Sequence, residues 1–335
     1  MTGAARTVAV TGAGGFLGRY VCRALFGHGY HIRAISSQRL VPRQGLDVVT
    51  VADLCDGAGL ERALAGVDAV IHLAGAAHVR GEASADLATF RAANVTAVGV
   101  VCAAAARAGA RHLVLVSSAG VVGETGDAVV STDTPARPES AYGRSKLEGE
   151  LVARETLAAT SVRLRVFRPP MVYGPGMRGN PLRLFGLVDS GVPLPLGGVR
   201  NRRSVLSAGN LAHAIERAIE TDARVDVPLY PSDVEVPSTP ELARAIGVAL
   251  GRPVRLVPVP QWMLDGVAAL LETAGAIVPS GVRQRASDIR RLTGSFVVDP
   301  APARDAIGFV PRLSLAEGLA ETAAWWRGGR PDVWP

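Results

Sequence analysis

The stretch "RTVAVTGAGGFLGRY" near the N-terminus narrows the possible folds more than any other. A short β-branched run passes directly into Gly12, Gly15 and Gly18, with Phe16 and Leu17 opening a helical pattern. Glycine at this spacing permits a tight turn, a close backbone approach to a pyrophosphate and close helix–strand packing. The freed amides and the positive end of the following helix then favour an anion. Three glycines in a turn are common; their place at the first β–α junction is what gives the motif weight.

The same alternation continues. "TVAVT", "HIRAI", "LDVVTV", "DAVIHLA", "RHLVLVSS" and "VRLRVFR" read as strands, with Ala- and Leu-rich helical segments between them, including a long one around 86–108. Such alternation implies right-handed crossovers and a parallel sheet covered on both faces, a doubly wound α/β fold. After Arg168 the texture changes to Pro-, Gly- and Arg-rich sequence, "RPPMVYGPGMRGNPLRLFGLVDSGVPLPLGGVRNRRS", expected to form irregular loops around a cleft. Residues 1–168 are therefore assigned to a dinucleotide-binding domain, with 204–231 returning to it through "VDVPLY". Residues 169–203 and 232–330 form a smaller, discontinuous substrate-binding region.

With 335 residues, 48% hydrophobic and 20% charged, the chain can build a large core. The net charge of +6 comes from scattered arginines without a base-reading module, so no nucleic-acid partner is expected. Cys22, Cys55 and Cys102 lack metal-ligand spacing and read as buried reduced thiols, with no metal site. The apolar segment "WMLDGVAALLETAGAIV" contains Asp265 and Glu272 and is too short to span a bilayer; it reads as a buried or amphipathic helix. No signal segment precedes the first strand, so a cytoplasmic protein without a membrane partner is expected.

One position breaks the expected pattern. About 20 residues after such a loop an acid usually holds the adenosine ribose, whereas "IRAISSQRL" offers Ser36, Ser37 and Arg39. These side chains suit a 2′-phosphate and favour NADP(H) over NAD(H). Asp53 and Leu54 follow the third strand, where a carboxylate and an amide can reach adenine; a turn or helix cap explains Asp53 equally well. Leu73, Ala74 and Gly75 supply small residues after the fourth strand, where the backbone can pass close to a ribose.

"AYGRSKLEGE" sets Tyr142 and Lys146 one helical turn apart, on one face. A neighbouring ammonium is expected to lower the phenol pKa from its usual value of about 10. A surface Tyr/Lys pair looks the same in isolation. Ser118, at the C-terminal end of the fifth strand, adds a hydroxyl where open α/β sheets bind ligands.

In this order "TGAGGFLG", "VIHLAG", "NVTAV", "VSSAGVVGE", "YGRSK" and "RPPMVYGPG" resemble the extended short-chain dehydrogenases/reductases, the NAD-dependent epimerase/dehydratase family, over nearly the whole chain. That resemblance implies a Rossmann-type fold and catalytic Ser118, Tyr142 and Lys146, with Asn94 ordering the helix and an active-site water. It implies cofactor contacts from Pro169 as well as from Tyr142 and Lys146. Arg203 matches the family's diphosphate-gripping arginine, and His78, Asn180 and Arg291 are further substrate candidates. A guanidinium suits that role because it binds phosphate bidentately and keeps its charge when buried. Arg200 and Arg202 are expected to face solvent or to share the phosphate. The later stretch looks like a UDP-glucose 4-epimerase-like subgroup that includes UDP-N-acetyl-6-deoxy-4-ketohexose 4-reductases.

The expected activity is NAD(P)-dependent hydride transfer at C4 of a nucleotide-diphosphate sugar, UDP-linked rather than dTDP-linked. Reduction of a UDP-4-keto-hexose stands first and a UDP-hexose 4-epimerase with retained NAD second. A reductase of a non-sugar carbonyl and a non-catalytic dinucleotide sensor are the other readings. Met171 stands where many members carry a substrate-contacting asparagine, so substrate orientation does not transfer. A homodimer through the helices bearing Asn94 and Tyr142 is expected from the resemblance.

Overall fold

A computed structural model describes residues 6–42, 45–76, 87–274 and 289–330 of the 335. Six strands form one parallel sheet: β1 (Thr7–Thr11), β2 (His31–Ser36), β3 (Leu46–Thr50), β4 (Ala69–His72), β5 (His112–Val116) and, after a short β6 (Val129–Val130), β7 (Arg163–Phe167). Their order is β3-β2-β1-β4-β5-β7, with every pair parallel. The order reverses between β1 and β4, which opens a crevice beyond the carboxyl ends of the strands. β4 and β5 are buried at every position, as expected for central strands covered on both faces.

One face is covered by α1 (Phe16–Gly27), the other by α2 (Gly57–Leu64), α4 (Ala97–Arg107) and α5 (Ala141–Leu157). The long helix expected at 86–108 is three pieces: α3 (Leu87–Arg91), a π-helical turn at Ala92–Thr96, and α4. Leu87–Arg107 has the length and apolarity to cross a bilayer. Its residues Val98, Val101, Cys102, Ala104 and Ala105 lie in the core against α2 and α5.

The stretch read as irregular loops after Arg168 carries more structure than its composition suggests. β8 (Met171–Tyr173) pairs in parallel with β9 (Val205–Ser207), and α6 (Asn180–Asp189) starts with a proline in its first turn, where a missing N–H costs nothing. "VDVPLY" does not form a strand; it contributes a single parallel bridge, Leu229 to Phe167, at the open edge of the sheet. α7 (Ala208–Glu220) packs on α1, and its Leu211, Ala212, Ala214, Ile215, Ala218 and Ile219 join the core beneath β1 and β2. A separate core gathers α6, α8 (Thr239–Leu250) and the C-terminal helix Leu315–Arg327, and α9 (Gln261–Ala274) leans on it through Leu264. Cys22 and Cys102 are buried, with thiols pushed up to about 12 by desolvation; Cys55 departs from the expectation and is only half-buried.

Candidate active site

The glycines mark where backbone meets backbone. Gly12 has φ +71°, and a Cβ there would stand 2.7 Å from the Ala74 amide nitrogen. A Cβ on Gly18 would lie 2.2 Å from the Gly12 carbonyl oxygen, so only hydrogen allows α1 to sit this close to its own loop. Gly15 occupies the N-cap without a side-chain bond, and no acid stands in the first turn. The opening amides of α1 are thus left for an anion. Phe16 packs edge-on to Tyr20, and Leu17 joins the core beneath β1. The turn accommodates a pyrophosphate on clearance, uncapped amides and dipole together.

At the end of β2, Ser36 is 8% exposed and its oxygen accepts from the Gln38 amide at 3.0 Å. Its hydroxyl lies beside Gly14 of the loop, and Arg39 is exposed nearby. Asp53 is exposed and accepts from the Cys55 amide at 2.9 Å, so at least one of its oxygens serves a turn; Asp56 is the residue that caps α2. Leu54 packs partly against the core under α4.

Across the switch point, Thr11 and His72 are register partners, and Thr11 Oγ1 lies 2.7 Å from His72 Nδ1. Burial, with Lys146 as a second cause, pushes His72 down to about 3, so its ring is neutral. Leu73 and Ala74 carry the chain past Gly12, and Gly75 approaches two site residues: a Cβ there would meet Asn94 Oδ1 at 2.6 Å and Lys146 Nζ at 3.3 Å. Asn94, in the π-helical turn and 1% exposed, binds both sides of Ala76, accepting from its amide at 3.0 Å and donating to its carbonyl at 3.0 Å. It also donates to Ser145 Oγ at 3.0 Å, fastening this loop to α5.

Tyr142 and Lys146 are in the first turns of α5, which Ser140 caps by accepting from the Gly143 amide. Lys146 Nζ donates to the Val116 carbonyl at the end of β5, 3.0 Å away. Ser118, just beyond, caps a 3-10 turn by accepting from the Gly120 amide, and its hydroxyl is near enough to Tyr142 to act on the phenol's pKa. Serine, tyrosine and lysine therefore converge at one strand end. Burial lowers Lys146 to about 8, with the Glu150 carboxylate opposing it. The expected lowering of the tyrosine is not seen: burial raises Tyr142, and the opposing influence comes from the Ser118 hydroxyl rather than the lysine charge.

A buried ionic group escaped the sequence reading. Glu150, fully buried one turn beyond Lys146, accepts from Arg168 Nε at 2.9 Å and Nη2 at 2.7 Å, and Arg168 Nη1 donates to the Tyr230 hydroxyl at 2.7 Å. The next residue, buried Pro169, accepts from the Ala119 amide at 3.0 Å. One carboxylate thus joins the lysine-bearing helix to the strand that leads to Pro169. The only sequence signal was an acid at helical spacing from Tyr142 and Lys146.

Just before β9, Arg203 Nη1 donates to the Gly294 carbonyl at 2.7 Å. Burial first, then neighbouring Arg291, lowers it to about 10. Among the described residues neither arginine has an acidic partner. Arg200 and Arg202 are exposed and line a separate hollow of about 280 Å³ with Arg244 and Glu241. Asn180 opens α6 behind Gly179. His78 lies outside the described residues.

This sheet, its glycine turn and the Ser–Tyr–Lys convergence define a Rossmann-type α/β protein of the extended short-chain dehydrogenase/reductase class. Residues 8–229 match the NAD dependent epimerase/dehydratase family, and the chain belongs to it. It is 28% identical to a UDP-glucose 4-epimerase of Vibrio cholerae over 95% of this chain and 94% of the relative. To a dTDP-glucose 4,6-dehydratase of Streptomyces griseus it is 29% identical, over 96% and 94%. A solved structure of MoeE5 in complex with UDP-glucuronic acid and NAD superposes with a TM-score of 0.75 at 25% identity, covering 96% of this chain and 99% of that one.

Proposed function

We propose that this protein is an NAD(P)-dependent enzyme acting at C4 of a nucleotide-diphosphate sugar, and that its reaction is reduction of a UDP-4-keto-hexose. The observation that carries the reading is the meeting of Ser118, Tyr142 and Lys146 at the carboxyl end of β5. The reading is supported by two of the curated relatives, which are named as a UDP-glucose 4-epimerase and a dTDP-glucose 4,6-dehydratase.

A nicotinamide dinucleotide, which the glycine turn with Tyr142 and Lys146 would hold, would supply the hydride chemistry at C4. Ser118 holds the C4 oxygen, and Tyr142, kept protonated by burial, donates the proton that completes the alcohol. Lys146 carries its ammonium at the cofactor ribose, and Asn94 orders the Gly75–Ala76 backbone beside it. Arg203, with Arg291 and Asn180, takes the diphosphate end. Ser36, Ser37 and Arg39 leave the ribose without a carboxylate clamp, which favours an exchangeable NADPH. A homodimer through α4 and α5 is part of the same reading, supported by Leu151, 56% exposed on α5.

The second reading is a UDP-hexose 4-epimerase, favoured by the relative from Vibrio cholerae. To separate the two, the purified protein is extracted for bound dinucleotide and assayed with NADH and NADPH on UDP-4-keto sugars and with UDP-hexoses. Stoichiometric NADPH consumption with a UDP-4-keto sugar supports the reductase. Retained NAD with epimerisation and no net cofactor use overturns it.

A further inference from the structure

Lys146 is the one lysine in the chain, and the surroundings of its amine are only partly accounted for by the site described above. An ammonium carries three N–H donors. One goes to the Val116 carbonyl at 3.0 Å. Ser117 gives its amide to Phe167 on β7, and successive residues of a strand turn their peptide groups to opposite sides, so the Val116 carbonyl faces β4. The amine therefore sits between the ends of β4 and β5, and a Cβ on Gly75 would stand 3.3 Å from it. In the function proposed above, the cofactor ribose takes a second donor. The third has no partner among the described residues.

Two other polar atoms on this side of the sheet are short of a bond. His72 is 1% exposed and Ser117 4%, and among the described residues neither His72 Nε2 nor Ser117 Oγ has a hydrogen-bond partner. His72 is the register partner of Leu115, whose side chain belongs to the core shared with α4 and α5. Ser117, two residues beyond Leu115, extends the same face. Lys146 reaches onto that face from α5. Three polar groups with bonds to spare thus share one face at neighbouring strand ends. Buried polar atoms are rarely left unpaired, and one buried water makes about three bonds. We propose that His72 and Ser117 hold one water against Lys146 and are positioning residues for its ammonium. The water accepts from Lys146 Nζ and donates to His72 Nε2 and to Ser117 Oγ.

The imidazole suits this acceptor role. Thr11 Oγ1 lies 2.7 Å from Nδ1, the other ring nitrogen. An N–H at Nε2 would aim its positive end toward the ammonium, so the proton belongs on Nδ1, bonded to Thr11, and Nε2 stays bare. Burial keeps the ring neutral, so His72 adds no charge beside the lysine. The titratable groups around the amine are Tyr142 and Glu150 on α5 and His72 on β4, with Arg168 held behind Glu150. An acceptor at an ammonium favours the charged form. The water therefore helps Lys146 keep its proton in a buried place. This rests on the function proposed above only in giving the second donor to a ribose.

A single lysine makes the test direct. In the full chain, isotopically labelled at the lysine ε-carbon for NMR, one side-chain resonance reports Lys146 with no cofactor or substrate added. Its titration midpoint in the double variant His72→Leu/Ser117→Ala is expected about one pH unit below wild type, the size of one lost bond to a charged group. Ser117→Ala alone, the milder change, is expected to move it the same way by less. His72→Gln, whose amide oxygen still accepts from the water, is expected to keep the wild-type midpoint, with circular dichroism confirming that each variant is folded. A crystal structure should show a water within hydrogen-bonding distance of His72 Nε2, Ser117 Oγ and Lys146 Nζ, and labelled histidine nitrogens should show Nε2 bare. An unchanged midpoint in the folded variants, a protonated Nε2, or a crystal structure in which no water touches all three atoms overturns the proposal. A midpoint that moves while the alkaline limb of kcat stays in place supports the water site and removes the role given to Lys146 at the ribose.

Discussion

The two groups of candidate site residues hold their polar atoms in opposite ways. On the sheet side, Asn94, Ser118, Lys146 and Glu150 are each engaged by backbone or by a counter-charge within the protein. In the other group, Arg203 has one carbonyl and a like-charged neighbour. The first group is held by the protein's own atoms; among the described residues Arg203 has no acidic partner. Pre-organisation lowers the cost of reaching a transition state, whereas a cation without a partner gains most when the substrate supplies its charge. Substitutions in the first group should reduce turnover or stability, and those in the second should raise KM.

The largest effect is expected at Tyr142. Tyr142→Phe should lower kcat by about 10³-fold, as general acid–base catalysis is worth about 10²–10⁴, with the melting temperature nearly unchanged. Unaltered turnover, followed by nicotinamide absorbance, would remove the proton-transfer role.

Next comes Glu150→Gln, which leaves Arg168 buried against a neutral partner. Removing one member of a buried pair costs about 3–5 kcal/mol, and the retained amide should keep the loss near the lower end in chemical unfolding. The same variant sharpens the pH dependence. Lys146 is lowered to about 8 from 10.5, so activity that needs its ammonium is full below about 8 and falls above it. The stability sign is the reverse of a salt bridge. Between about 8 and 10.5 the unfolded chain binds this proton more tightly, so the lysine's penalty on folding fades as pH rises. Because Glu150 opposes the lowering, its loss should move the alkaline limb of the kcat profile to lower pH. A limb that stays in place would confine Glu150 to a structural role.

Arg203→Gln should cost about 2 kcal/mol in substrate affinity, the value of a charge-assisted hydrogen bond, read as a roughly 30-fold rise in KM with kcat little changed. Arg200→Ala and Arg202→Ala should each stay near wild type, and an equal effect at all three would erase the distinction drawn for Arg203. The smallest effect is expected at Ser36→Asp, which restores a carboxylate and should shift preference from NADPH toward NADH by about 10-fold, or 1.4 kcal/mol.

The sheet side was also the more legible group. Strand alternation and the glycine spacing are local, so all six strands and the turn could be read off the sequence. Tyr142, Lys146 and Ser118 stand at positions whose partners are set by strand ends and helix pitch. The Glu150–Arg168–Tyr230 group has no such local signature: an acid on a helix reads as solvated until β7 and the 229–230 segment close over it. α6 was hidden for a different reason, because Gly and Pro signal turns more strongly than ten residues can signal a helix. Asp53 shows the limit of residue type alone, since the same carboxylate suits a turn and an adenine.

Leu229 closes the edge of β7, and α7 covers α1, yet both are made long after the strands they complete. During synthesis the α1 face of the sheet stays bare until α7 (Ala208–Glu220) has emerged, and the edge of β7 until Leu229 has. A chain interrupted in that interval would expose this apolar surface to chaperones, and a fragment cut at Arg168 would lack the α7 cover of α1.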